Sequence, residues 1–160
     1  MSKEIKIGVV SDTHLVKDDG SFQKLTEKFF KDCDLIVHCG DIVNEEIFLP
    51  VKKEIIAVRG NMDISSALPI KREITILEKK IGIIHGYGAP TGIRDRIKKE
   101  FQEVDCILYG HTHYPYCNKE DDILFLNPGS AFDRRWAPKN TIGYLYITTD
   151  NIRGEIKEID

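Results

Sequence analysis

No apolar stretch in this chain approaches the roughly 18 residues that a membrane-spanning helix needs. The opening Met1-Ser2-Lys3-Glu4-Ile5-Lys6 is charged and leads toward a strand, without the apolar core of a signal peptide. These two absences predict a protein neither secreted nor held at a membrane. Cysteine is sparse: Cys33, Cys39, Cys106 and Cys117 form no C-x-x-C pair, and Cys39 and Cys106 lie in or at the end of apolar runs. Reduced thiols and a cytoplasmic setting are expected. An excess of one charge is missing too, since 23 Lys and Arg face 26 Asp and Glu, for a formal net charge of −3. A strongly basic surface for nucleic acid is therefore not expected. Repeats, linkers and low-complexity segments are also lacking, and 41% apolar residues suffice for an ordinary core.

The 160 residues are of one-domain size, so residues 1–160 are read as a single domain. Ile5 to Val10, Leu35 to Val37, Ile55 to Val58 and Cys106 to Tyr109 are short apolar runs of strand length, suited to strands buried on both faces. Phe22, Leu25 and Phe29 recur at i, i+3 and i+7, which predicts an amphipathic helix with Ser21 as its cap. Ile93, Ile97 and Phe101 predict a second helix over 91–101, capped by Thr91. Hairpins are expected from Ile74–Leu77 through Glu78-Lys79-Lys80 to Ile81–Ile84, and from Tyr114–Asn118 through Asp121-Asp122 to Ile123–Leu126. A last antiparallel pair covers Ile142–Thr148 and Ile152–Ile159. Alternating strands and helices interrupted by hairpins predict an α/β protein with two packed, mixed sheets and helices outside.

Polar residues gather just after the apolar strands. Asp12 and His14 follow the first, Asp41 the second, Asn61 and Asp63 the third, and His85, His111 and His113 continue the series. The carboxyl ends of strands form the ligand crevice of an open α/β sheet, so these side chains are expected to converge. Four of the five histidines belong to this set. Imidazole, carboxylate and amide oxygen suit Mn, Fe, Ni, Zn or Mg rather than a thiolate-seeking metal. There are donors enough for two divalent ions, which would acidify a water for attack on a phosphate ester and neutralise charge on its oxygens.

The ordered series Asp12-x-His14, Gly40-Asp41, Gly60-Asn61-x-Asp63, Ile83-Ile84-His85-Gly86 and Gly110-His111-Thr112-His113 resembles the calcineurin-like metallophosphoesterases. Arg59-Gly60-Asn61-Met62-Asp63 and Asn127-Pro128-Gly129-Ser130 resemble their small single-domain bacterial and archaeal phosphodiesterase branch. The resemblance implies a four-layer α/β/β/α sandwich and hydrolysis of a small phosphodiester by metal-activated hydroxide. It implies that Asp12, His14, Asp41 and His113 surround one ion and Asp41, Asn61, His85 and His111 the other, with Asp41 bridging. Manganese is the first expectation for the metal; Ni, Fe, Zn and Mg remain open. Stronger catalysts of the wider family carry a histidine where this chain has Met62, and methionine donates no proton, so general-acid help, typically 10²–10⁴-fold, is missing or comes from elsewhere. The alternative is a metal-binding interaction scaffold of the same fold, as in the retromer subunit, but all seven expected ligands are present here.

Rival readings of the same residues are weaker. A haloacid-dehalogenase-like site wants Asp-x-Asp where this chain has His14, and a dinucleotide fold wants G-x-G-x-x-G where Gly8 stands alone. His38 and Cys39 are read as packed rather than ligating, and Asp63 as support for the site. Asn61 and Arg134 are the candidate substrate contacts, with Arg134-Arg135-Trp136 offering either a guanidinium to phosphate or a surface for a homo-oligomer.

Overall fold

The computed structural model describes residues 3–159, which leaves Met1 and Ser2 of the charged lead-in, and Asp160, outside the described residues. One five-stranded sheet has the order β10-β9-β1-β2-β3, built from β1 (Ile5–Val10), β2 (Leu35–His38), β3 (Ile55–Ala57), β9 (Thr141–Ile147) and β10 (Ile152–Glu158). The other has the order β4-β5-β6-β8-β7, from β4 (Lys71–Ile76), β5 (Lys79–Ile84), β6 (Cys106–Leu108), β7 (Tyr116–Glu120) and β8 (Ile123–Asn127). Both sheets are mixed. In the first, β1, β2 and β3 run parallel, while β9 pairs antiparallel with both β1 and β10. In the second, β5, β6 and β8 run parallel, with antiparallel β4 and β7 at the edges.

Strand alternation sorts the apolar residues into three cores. Ile7, Val9, Val37, Ile81, Ile83, Leu108, Leu126 and Leu145 face one another between the sheets. On the outer face of the first sheet, Val10, Ile36 and Tyr144 pack on Phe22, Leu25 and Phe30 of α1 (Ser21–Phe29) and its C-terminal cap. On the outer face of the second, Ile107 and Phe125 pack on Ile93 and Ile97 of α2 (Ile93–Lys98). The order across the molecule is therefore α/β/β/α.

Element ends differ from the sequence reading for local reasons. Neither helix is capped by a side chain. Left-handed Gly20 and Gly92 precede them, Asp19 Oδ1 accepts from the Ser21 N–H, and neither Ser21 nor Thr91 acts as the cap. The second helix spans only Ile93–Lys98. Phe101 lies beyond it, packed where a Cβ on Gly82 would stand. The first hairpin turns at Leu77-Glu78, both with positive φ as a two-residue turn requires, one position earlier than expected. β4 starts at Lys71 because it is an exposed edge whose Lys71-Arg72-Glu73 carries no apolar signal. Val58 and Tyr109 fall just past their strands, and a 3-10 turn at Glu45–Phe48 went unread.

Candidate metal centre

The loops after β1, β2 and β3 meet those after β5 and β6 at one end of the sandwich. Backbone hydrogen bonds sew them together: Asp12 N–H to Gly40 C=O at 2.9 Å, His14 N–H to Asp41 C=O at 3.1 Å, and Gly110 N–H to His85 C=O at 3.0 Å. Five of the seven candidate ligands, Asp12, His14, Asp41, His111 and His113, have left-handed backbone. Such conformations cost energy for non-glycine residues and gather at functional sites. Two glycines permit the close approach. A Cβ on Gly60 would lie 2.1 Å from Asp41 Oδ1, and one on Gly110 would lie 2.6 Å from Asp12 Oδ2.

Asp12 and Asp41 each have one oxygen held and one bare among imidazoles. Asp12 Oδ2 accepts from the Ser11 hydroxyl at 2.6 Å and the His111 N–H at 3.0 Å. Its Oδ1 has no hydrogen-bond partner and faces Nε2 of His113 at 3.4 Å and of His14 and His85 at 3.8 Å. Asp41 Oδ1 accepts from the Met62 N–H at 2.8 Å, while Oδ2 lies 3.3 Å from His85 Nε2 and 3.5 Å from His14 Nε2. Two trios result, Asp12–His14–His113 and Asp12–Asp41–His85, each compact enough to hold a cation.

The imidazoles are oriented by backbone carbonyls. His85 Nδ1 donates to Cys39 C=O at 2.8 Å and His113 Nδ1 to Asp133 C=O, so the lone pair of each neutral ring sits on Nε2, toward the carboxylates. His14 Nε2 is buried without a hydrogen-bond partner. Asn61 Oδ1 stands 3.1 Å from His85 Nε2. An amide oxygen and an imidazole nitrogen at this distance can share a cation. With Asp12 Oδ1 and His14 Nε2 orphaned as well, the donor set fits divalent metal ions.

Electrostatics agree with that fit. Among the described residues the ion-pair partners of Asp12 and Asp41 are imidazoles, with no Lys or Arg among them. Burial pushes both carboxyls up, but at Asp12 the His14, His85 and His113 rings and the Ser11 hydroxyl outweigh it, and at Asp41 His85 and the Met62 N–H hold the pKa down to about 2. His14 is raised, chiefly by Asp12. At His85 burial pulls down, and Asp41 and Asp12 more than restore it, for a net rise. The site is a concentration of negative charge looking for cations.

Other expected residues are placed differently. His111 joins neither trio: its ring lies 5.2 Å from that of His85, and its Nε2 donates to Gly88 C=O at 2.9 Å, leaving Nδ1 as its donor atom. Asp63 points away from the site's interior and accepts from the N–H groups of Gly60, Asp41, Ile42 and Val43 at 2.8–3.2 Å, so its support consists in shaping the Asp41 loop. Arg134 is exposed and donates to Ala137 C=O at 2.8 Å in its own loop. His38 lies between Phe22 and Phe48, accepts from the Gly40 N–H and meets Thr13 Oγ1 at 3.1 Å; burial drops its pKa to about 4.

Sequence reasoning gave no role to Ser11, Asn127 or Ser130. Asn127 Nδ2 donates to Gly110 C=O at 3.1 Å and Thr112 Oγ1 at 3.0 Å, and the Ser130 hydroxyl donates to Asp12 C=O at 2.7 Å. The only signal for Asn127 and Ser130 is the Asn127-Pro128-Gly129-Ser130 string, and Ser11 has none. Residues 5–151 match the calcineurin-like phosphoesterase superfamily domain. The chain belongs to this family. A probable metallophosphoesterase of Methanocaldococcus jannaschii is 41% identical over 129 residues, covering 78% of this chain and 67% of the relative. A solved structure described as a novel archaeal phosphodiesterase superposes with a TM-score of 0.71 at 27% identity, over 96% of this chain and 100% of that one. Vps29 of Entamoeba histolytica, solved with Zn²⁺, superposes at 0.66 and 20% identity over 98% and 100%, a likeness of fold alone. The phosphoesterase domain thus carries its candidate ligands where the two sheets' loops converge.

Proposed function

We propose that this calcineurin-like phosphoesterase is a phosphodiesterase working with two divalent ions, manganese first among Mn, Ni, Fe, Zn and Mg. Asp12, His14, Asp41 and His113 would hold one ion, and Asp41, Asn61, His85 and His111 the other. The observation that carries this reading is the pair of buried carboxylates, each with one oxygen pinned by N–H or O–H donors and the other bare among imidazole Nε2 atoms. Both structural trios contain Asp12, but Asp41 is the better candidate for the shared ligand, since its Oδ2 lies closer to His14 and His85, one from each proposed set, at 3.5 and 3.3 Å against 3.8 Å for Asp12 Oδ1. When bound, the ions supply an acidified water and positive charge for the phosphate oxygens. The residues keep both in register. Carbonyl acceptors on Nδ1 aim the His85 and His113 lone pairs, and Asp63 holds the loop that presents Asp41. Asn61 and Arg134 are the proposed substrate contacts.

The four unpaired cysteines support a reducing, cytoplasmic setting, in which residues 1–160 act as one unit on a small diester. One observation favours the scaffold alternative: Met62, beside Asn61, is half exposed and offers no proton. Metal analysis with turnover of bis(p-nitrophenyl) phosphate decides between them. Two ions per chain and turnover that disappears in Asp41→Ala support the phosphodiesterase. Turnover of wild type equal to that of Asp41→Ala leaves the scaffold.

A further inference from the structure

Beside the His85–Asn61 edge of the metal centre lies a cleft of about 290 Å³, bounded by the β3–β4 crossover and the loop after β5. Its walls include Arg59, Ile70, Ile84, Tyr87 and Glu100, and it shares Asn61 and His85 with the centre itself. We propose that this cleft receives one ester arm of the substrate and selects an aromatic ring there. The proposal rests on the phosphodiesterase reading and names the substrate class for it.

Three observations point to that occupant. Ile70 and Tyr87 are 58% and 47% exposed, so the walls present bare apolar surface at the mouth of a polar site, where a folded chain usually hides it. The Tyr87 wall is also preformed. Its hydroxyl donates to Glu100 Oε2 at 3.1 Å, and Arg96 clasps the loop through the carbonyls of Tyr87 at 3.0 Å, Thr91 at 3.2 Å and Ala89. A ring held at both ends is a stacking surface that loses little freedom on binding. Finally, the charged walls are already engaged. Glu100 pairs with Lys71 Nζ at 3.3 Å and accepts from the Tyr87 hydroxyl, and the Arg59 guanidinium donates to Ser66 C=O at 3.3 Å, which leaves the apolar walls to select the arm.

The test is a series of p-nitrophenyl phosphodiesters with one leaving group and a varied second arm: methyl, cyclohexyl, phenyl and naphthyl. With the leaving group constant and each kcat/KM divided by the same ester's rate with hydroxide, the phenyl-to-methyl ratio reports the arm's binding and not the chemistry. It is expected to be roughly fivefold to twentyfold in the wild type, carried by KM, with phenyl above cyclohexyl. The ratio should fall toward one in Tyr87→Ala and in Ile70→Asn, while Leu49→Ala, exposed at the end of the 3-10 turn, keeps the wild-type ratio and rate. A flat wild-type series, or a ratio unmoved in both cleft variants, overturns the cleft assignment. No turnover of any member with any divalent ion overturns the phosphodiesterase reading instead. The cleft is then judged by NMR titration with methyl phenylphosphonate against methyl methylphosphonate: shifts of the Tyr87 ring with the aryl probe alone uphold it, and equal shifts overturn it.

Discussion

The two sheets bring unlike chemistry to the centre. The loops after β1, β2 and β3 supply Asp12, Asp41, Asn61 and Asp63 with a single imidazole, His14, whereas those after β5 and β6 supply His85, His111 and His113. Carboxylates need donors to orient them and imidazoles need acceptors, and each side draws on the other: Asp12 takes the His111 N–H, and His85 gives its Nδ1 proton to Cys39 C=O. Neither half aims all of its ligands alone. The inter-sheet core of Ile7, Val9, Val37, Ile81, Ile83 and Leu108 is therefore part of the metal site's geometry, although it touches no ligand chemistry.

The largest break in that division of labour is Asp41→Ala, because its Oδ2 reaches His14 on one side and His85 on the other and it is the ligand proposed for both ions. Metal content should fall to near zero and turnover by about a thousandfold. His111→Ala, outside both trios, should retain at least one ion per chain by elemental analysis. Equal losses in the two proteins would contradict the asymmetry. Asp63→Ala strikes the acid side through its scaffold, leaving four backbone N–H groups without their acceptor. A loss of roughly 3 kcal/mol, or about 10 °C in Tm, is expected together with weakened metal binding.

The pH response sharpens the comparison without a mutation. In metal-free protein, His14 and His85 have folded pKa values above 6.5. Their contribution is complete below that value and is lost as pH rises through the folded pKa. His38, buried neutral with a pKa of about 4, acts oppositely: stability falls as pH drops from 6.5 toward 4. Asp41 contributes above 3.8 and loses that contribution toward about 2. Thermal melts in EDTA should therefore peak near neutrality. A divalent ion replaces the protons on His14 and His85, so the alkaline decline should vanish when metal is added. Coincident curves in EDTA and in metal would contradict a site built on those imidazoles.

The smallest expected effect is Met62→His. Its N–H already holds Asp41 Oδ1, and both Asp63 oxygens are engaged by backbone, so no carboxylate stands ready to orient a new imidazole. Alkyl diesters should gain less than about tenfold, well short of a positioned general acid. A leaving-group series that became nearly flat in the variant would show that another group orients the ring.

Much of the centre was legible because its ligands follow short apolar strands directly, and strand ends in parallel sheets share one edge. The periodicity of Phe22, Leu25 and Phe29 likewise located α1. What failed to show was polar or conformational. β4 hid behind Lys71-Arg72-Glu73, both helix caps passed to left-handed glycines, and the support expected of Asp63 acts through backbone amides, which carry no sequence signature. The sequence by itself determined which donor types are present, in what order, and that they follow strands. Only the tertiary structure decided which oxygen of each aspartate is bare, that His111 turns to Gly88 while His113 joins Asp12, and that an apolar cleft opens beside His85. Such choices depend on left-handed loops and on contacts between residues as much as 118 positions apart, as in the Ser130 hydroxyl to Asp12 C=O bond. No local pattern encodes a distance that exists only when the two sheets have packed.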